Sequence, residues 1–213
     1  MIREDLANMR RDYASSTLDE ATAATDPLDQ FRRWIKDATA AEVLDPNAMS
    51  LATCGDDRRP AIRIVLLKYY GNEGFTFFTN YTSKKGRQLE ENPNAALHFF
   101  WPELHRQILI QGRVEKFDKA AGDAYFLSRP VDSKIGAWAS HQSAKVGSRE
   151  ELDGRFTELQ QKFGEDVPPP PFWGGYTLKP DCYEFWQGRV SRLHDRLVYT
   201  RTADAWEITR LAP

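Results

Sequence analysis

The hydrophobic pattern of the chain changes period several times. From Asp26 onward Leu28, Phe31, Ile35 and Ala38 recur at helical spacing, with Asp26 suited to the N-cap and Pro27 to the first helical position. From residue 47 the pattern turns to strands. Ala48 to Cys54, Ala61 to Tyr70 and Phe75 to Thr79 are strand-like, separated by Gly55-Asp56-Asp57 and the hairpin signal Gly71-Asn72-Glu73-Gly74. A short polar helix from Ser83 to Glu91 stops at Asn92-Pro93. Two strands follow, Ala95 to Trp101 and Gln107 to Phe117. Helices return over Asp118 to Leu127, around Ser133 to Ser140, and from the capping box Ser148-Arg149-Glu150-Glu151 to Phe163. Pro168 to Pro171 forms a stiff connector. Tyr176 to Gln187, Arg192 to Arg201 and Trp206 to Leu211 predict a last set of strands. Hairpin-linked strands interrupted by helices predict an α+β fold whose antiparallel sheet curls into a barrel.

Residues 1–25 are polar, rich in Ala, Ser and Thr, and weakly periodic, so they predict a mobile N-terminal tail. Residues 26–213 show no internal repeat and no break in composition, and predict a single domain. The length, 213 residues, is enough for a sizeable core. Lys plus Arg number 29 and Asp plus Glu 31, a net of -2, which gives no bulk cationic surface for nucleic acid. No apolar run approaches the ~20 residues of a spanning helix, and the mean hydropathy of -0.61 argues against a membrane protein. The two cysteines, Cys54 and Cys182, form neither a C-x-x-C pair nor a zinc pattern. With the charged start MIREDLANMRRDY they predict a cytoplasmic protein.

The familiar catalytic signatures G-x-S-x-G, H-E-x-x-H, Walker A and G-x-G-x-x-G are missing, and the four histidines have no metal spacing, so no metal is expected. The cations carry the signal. Arg63 and Lys68 stand five apart on a strand and so face opposite sides of the sheet, as ligands for two anions or as solvated edge charges. Thr79, Lys84 and Lys85 surround the start of the short helix, where backbone N–H groups and the positive helix end favour a phosphate. The alternative is a solvated helix start. Tyr125, Arg129 and Ser133 recur at four-residue spacing and are natural phosphate donors, unless Tyr125 is core and Arg129 surface. Arg192, His194 and Arg196 point one way if their run is a strand. They would line an anionic or aromatic pocket near Trp186, or an exposed polar face. Together these clusters suggest one or two phosphorylated planar small molecules held in a barrel.

Several segments in order resemble one family: RIVLLK at 63–68, FFTNYTSKKGRQLEENP at 77–93, SRPVDSKIGAWAS at 128–140, FWGGY at 172–176, EFWQG at 184–188, RLHDR at 192–196 and the terminal RLAP. They resemble the pyridoxine/pyridoxamine 5′-phosphate oxidases, flavoproteins of the FMN-binding split-barrel class. The resemblance runs from residue 26 to the C-terminus. It implies an antiparallel split β-barrel with surrounding helices and a homodimer with FMN at the subunit interface. The implied reaction oxidises pyridoxamine 5′-phosphate or pyridoxine 5′-phosphate to pyridoxal 5′-phosphate. A hydride passes from C4′ to N5 of FMN, and dioxygen reoxidises the flavin to give hydrogen peroxide. For the cofactor the resemblance implies contacts from Arg63, Ile64, Val65, Leu66, Leu67 and Lys68, from Phe78, Thr79, Lys84 and Lys85, and from Gln107, Gln142, Ser143, Trp186 and Arg196. For the substrate phosphate it implies Lys68, Tyr125, Arg129 and Ser133. Arg192 and His194 are placed against the pyridine ring as the catalytic pair, and Arg10 and Tyr13 resemble a substrate-linked segment of the tail. Lys84 stands where the pattern often has Arg; lysine keeps the charge but loses the bidentate geometry. Arg189-Val190-Ser191 receives no role.

Overall fold

The computed structural model describes residues 16–203 and 205–213. Arg10 and Tyr13 lie outside the described residues.

Five α-helices and eight strands are present among the described residues: α1 (Pro27–Ala40), β1 (Ala48–Cys54), β2 (Pro60–Gly71), β3 (Gly74–Asn80), α2 (Lys84–Glu91), β4 (Asn94–Trp101), β5 (Arg106–Lys116), α3 (Lys119–Leu127), α4 (Val131–Ala139), α5 (Arg149–Phe163), β6 (Trp173–Gln187), β7 (Asp195–Arg201) and β8 (Trp206–Arg210). The strands bond in the order β3-β2-β1-β4-β5-β6-β7-β8, and β3 also pairs with β6. That extra pairing closes six strands, β1 to β6, into a barrel and leaves β7 and β8 as an extension. The registers of β1–β2, β2–β3, β3–β6, β6–β7 and β7–β8 are antiparallel. Closure removes sheet edges that would otherwise offer unpaired backbone groups.

The contacts divide the chain into two compact units. One comprises residues up to 46 with 98–110 and 181–213; the other comprises 47–97 with 111–180. Strands β4, β5 and β6 each contribute residues to both.

In the first unit α1 begins as its sequence dictates, with the Asp26 carboxylate accepting from the N–H groups of Leu28 and Asp29. Its inner face packs edge-on against aromatic rings, Phe31 on Phe99 at 5.3 Å and Trp34 on Phe185 at 5.3 Å. Composition predicts a tail through residue 25, but the structure attaches its last part. Leu18 and Ala24 are buried. The Leu18 N–H donates to Asp195, the Tyr199 hydroxyl donates to the Ala24 carbonyl, and Arg210 pairs with Glu20. A polar stretch is held here by specific hydrogen bonds, which composition does not reveal.

In the second unit Met49, Leu51, Phe75, Phe77 and Leu178 fill the interior. A separate cluster of Phe126, Ile135 and Val167 receives Phe156, Leu159 and Phe163 from α5. No residue of α5 is fully buried, and its pairs Arg149–Asp153 and Arg155–Glu151 are exposed. Such pairs are worth a few tenths of a kcal/mol, about 0.3–0.5 each, so the apolar contacts hold this helix in place.

Candidate functional site

The second unit carries a cleft of about 410 Å³. Strand β2 forms one wall. Its register shifts between Leu67 and Tyr69, a bulge that leaves Lys68 out of the ladder. Ile64, Val65, Leu66 and Lys68 all line the cleft, while Leu67 is buried. Phe78, Thr79 and Asn80 of β3 form the floor with Trp173 of β6. Phe78 stacks on Trp173 at 5.0 Å and on Tyr125 at 4.3 Å, giving a flat aromatic wall. Gly174 and Gly175, which follow Trp173 and pair with Thr79 and Phe78, permit this approach. A Cβ on Gly175 would lie 3.0 Å from the Phe78 ring.

Two further cationic groups join Lys68 in facing this space. Lys85, on the first turn of α2, reaches Thr79 Oγ1 at 3.1 Å and Gln142 Oε1 at 2.8 Å. Burial, and then the charge of Arg63, lower its pKa to about 8. Arg129 lies among Tyr125, Ser133 and Lys68. Its guanidinium stands over the rings of Trp173 and Phe126, at 5.2 and 5.4 Å. Burial lowers its pKa as well. Its Nη1 atom is buried and has no hydrogen-bond partner. A buried, unpaired guanidinium donor is costly until an acceptor reaches it.

Several sequence expectations are placed differently. Arg63 does not line the cleft. It donates to Thr53 Oγ1 at 2.6 Å and to the Leu51 carbonyl at 3.1 Å, beside the buried Gln88. Its separation from Lys68 across the sheet follows the alternation, yet its charge still acts on Lys85. Lys84 is exposed and outside the cleft. The phosphate-cradling helix start is also revised. Ser83 accepts from the Gly86 N–H, and Ser143 Oγ accepts from the Lys84 N–H. Those N-terminal donors are engaged by the protein itself, and cationic character at α2 comes from the Lys85 side chain.

A smaller cleft of about 250 Å³ lies in the first unit, lined by His98, Gln107, Leu109, Glu184, Trp186, Arg196 and Pro213. It brings together three residues expected from the sequence, Gln107, Trp186 and Arg196. Glu184 clamps Arg196 through two hydrogen bonds, 2.7 and 3.1 Å, and His98 Nε2 lies 3.0 Å from Gln107 Oε1. Arg192, His194 and Arg196 do not share a strand face. Strand β7 starts only at Asp195, and residues 190–192 form a 3₁₀ turn. Ser191 and Arg192 have φ of 58° and 59°, a left-handed kink that ends strand alternation before it reaches them. Arg192 is exposed and His194 half-buried against Trp186.

Sequence reasoning missed Asn80, Trp173 and Ser140 in the large cleft and His98 and Glu184 in the small one. Trp173, in the FWGGY segment, is signalled by the glycines that follow it; Asn80, Ser140 and Glu184 lie inside the segments 77–93, 128–140 and 184–188 that carry the resemblance, and His98 has no local signal.

A six-stranded barrel whose cleft sets an aromatic wall beside half-buried cations has the architecture of the split-barrel class. Residues 35–163 match the family described as pyridoxamine 5′-phosphate oxidase, and residues 173–213 match the pyridoxine 5′-phosphate oxidase C-terminal dimerisation region. The chain belongs to the pyridoxine/pyridoxamine 5′-phosphate oxidase family, a family of FMN-binding proteins. It is 56% identical over 211 residues to the pyridoxine/pyridoxamine 5′-phosphate oxidase of Burkholderia multivorans, covering 98% of this chain and 99% of that one. It is 54% identical over 211 residues to that of Burkholderia lata, with the same coverage. Among solved structures it is similar to PhzG from Burkholderia lata 383 in complex with tetrahydrophenazine-1-carboxylic acid. The TM-score there is 0.89 at 32% identity, over 95% of this chain and 100% of that one. A pyridoxamine 5′-phosphate oxidase-related, FMN binding protein from Nostoc punctiforme shares the fold, with a TM-score of 0.71 at 19% identity, over 86% of this chain and 97% of that one. Among the described residues no helix is long and apolar enough to cross a membrane.

Proposed function

We propose that the large cleft takes both phosphates of the reaction, one through Arg129 and one through Lys85. The activity is that of a pyridoxine/pyridoxamine 5′-phosphate oxidase. The observation that carries the division of labour is the buried Arg129 Nη1 without a partner, in a cleft with Lys68, Tyr125 and Ser133. A phosphate there would accept from a guanidinium, an ammonium and two hydroxyls. The residues also fit FMN. Lys85, Thr79 and Gln142, with Arg63 behind them, would hold its phosphate end. Ile64 to Leu66 and the Phe78 region would meet a flat ring. Ser143 and Lys84 stand at the start of α2 beside Lys85, and Gln107, Trp186 and Arg196 of the smaller cleft are the further residues that the family resemblance implies for the cofactor.

Bound FMN supplies a two-electron acceptor that dioxygen regenerates with release of hydrogen peroxide. The chain's own residues bind and orient. Lys68, Tyr125, Arg129 and Ser133 anchor the phosphate of pyridoxamine or pyridoxine 5′-phosphate, and the family resemblance implies Arg192 and His194 for its pyridine ring. Positioning of this kind lowers the entropic part of the barrier. The dimerisation region at 173–213 supports a homodimer as the working form.

Arg129→Leu tests the division. The expected result is a Michaelis constant raised about ten- to a hundredfold, since one charge-assisted contact is worth about 1.5–3 kcal/mol, with flavin content near normal. A variant that loses its flavin and keeps its substrate affinity would overturn the assignment. Flavin released by heat and identified by chromatography should be FMN; FAD as the main species would refute the reading of a single phosphate end.

A further inference from the structure

The turn between β6 and β7 contains a short chain of contacts that the reaction's binding residues do not explain. The backbone N–H of Arg189 donates to Nδ1 of His194 at 3.1 Å. The guanidinium of the same residue donates to Asp195 Oδ2 at 3.0 Å. Asp195 is itself fixed, since Oδ2 accepts from the Leu18 N–H at 3.1 Å and Oδ1 from Arg210 Nη1 at 2.8 Å. Arg189, at one end of the turn, therefore grips the other end twice, across middle residues Ser191 and Arg192 that are left-handed without being glycine. Such backbone is sterically costly and persists only where its surroundings hold it.

The hydrogen bond to His194 has a chemical consequence. A peptide N–H can only donate, so Nδ1 must present its lone pair. The neutral ring then carries its proton on Nε2, a tautomer assigned from the hydrogen-bond network. Protonating the ring would set an N–H against an N–H and break the contact. The charges facing the ring agree. Burial and the neighbouring Arg192 push its pKa down, with Asp195 opposing them. Trp186, at 4.6 Å between ring centroids, fixes the plane of the imidazole.

We propose that Arg189 is a positioning residue that holds His194 as the neutral Nε2–H tautomer, so that this histidine acts as a hydrogen-bond donor. A donor of fixed direction suits an acceptor atom on an aromatic ring, such as the phenolic oxygen of a hydroxypyridine. The value of the lock to catalysis rests on the proposed role of His194 against the substrate ring.

The test uses FMN-loaded enzyme with nitrogen-labelled histidine, in unmodified form and as Arg189→Ala and Arg189→Lys. Nitrogen NMR reads the His194 tautomer directly, and steady-state kinetics with pyridoxine 5′-phosphate reads its use. The unmodified enzyme should show a pyridine-type Nδ1 and a pyrrole-type Nε2. Arg189→Ala keeps the peptide N–H but removes the guanidinium bridge that holds the strained turn to Asp195, so the turn should relax, His194 lose that single signature and the Michaelis constant rise about tenfold, with a smaller change in kcat and normal flavin content. Arg189→Lys, which keeps a charge for Asp195, should restore both in part. A proton on Nδ1 in the unmodified enzyme, or an unchanged His194 signature in Arg189→Ala, would overturn the proposal. A signature that moves while the Michaelis constant stays fixed would uphold the lock and instead remove His194 from the substrate.

Discussion

Lys85 shows how one residue can couple burial to ligand charge. Its ammonium has two neutral oxygen partners, Thr79 and Gln142, and no carboxylate among its bonds, while burial and Arg63 pull its pKa to about 8. The negative charge of a phosphate close by would outweigh both influences and raise that value. The sign of the pH dependence follows. Well below pH 8 the lysine is protonated with or without ligand, and affinity is full. Above that value the free protein must take up a proton in order to bind, so affinity falls until the pKa of the bound form is passed. Titrations of apo-protein with FMN should show a dissociation constant that is flat near neutrality and rises by up to about tenfold per pH unit beyond pH 8. Lys85→Gln should bind more weakly and abolish the slope. A slope that survives in Lys85→Gln would assign the proton to another group.

At the scale of the element, close backbone approach decides where strands can run. Gly112 in β5 has no room for a side chain, since a Cβ would meet the Lys179 carbonyl oxygen at 2.0 Å. Backbone cannot swing aside as a side chain can, so Gly112→Ala should cost roughly 1–3 kcal/mol. Gly154 in α5 has open space where a Cβ would stand, with nothing within 4 Å, and Gly154→Ala should stabilise by roughly 0.5–1 kcal/mol. Urea midpoints should move in opposite directions at constant slope; two shifts of one sign would refute the contrast. These contacts also explain what is legible in the sequence. The helix starts at Asp26, Asp118 and Ser148 are readable because each cap acts on N–H groups two or three residues away. Strand β6 begins at Trp173, earlier than its hydrophobic pattern suggests, because Gly174 and Gly175 pair with distant β3. The turn at Ser191 and Arg192 is unreadable for a related reason. Neither residue favours positive φ, and the Arg189–Asp195 pair that holds the turn is a tertiary contact. In the same way Arg129 and Lys85 are visible as cations, whereas the missing partner of Arg129 is a property of packing.

At the scale of the whole molecule, the cofactor should be part of the fold's stability. Arg129 leaves a buried donor unpaired, and Lys85 keeps its charge in a half-buried place. Both strains would be relieved by anions that bind only the folded chain. At the cleft wall and next to it, Ile62, Ile64 and Leu66 of β2 are exposed by 69%, 65% and 42%, so one strand face presents three apolar side chains. That face, with the dimerisation region at 173–213, supports a folded state coupled both to FMN and to a second copy of the chain. A ligand bound only by the native form adds about 2.7 kcal/mol at a hundredfold excess over its dissociation constant. For a chain of this length each kcal/mol moves the unfolding midpoint by about 2–4 °C, which gives a shift of about 5–10 °C. Calorimetry across a series of FMN concentrations should follow that logarithmic dependence. Repeating the scans at two protein concentrations separates the two couplings, since a dimer that dissociates on unfolding also melts higher when more concentrated. A midpoint independent of FMN would remove the cofactor from the stability of the fold. Light scattering that shows a monomer at micromolar concentration with FMN bound would remove the second copy.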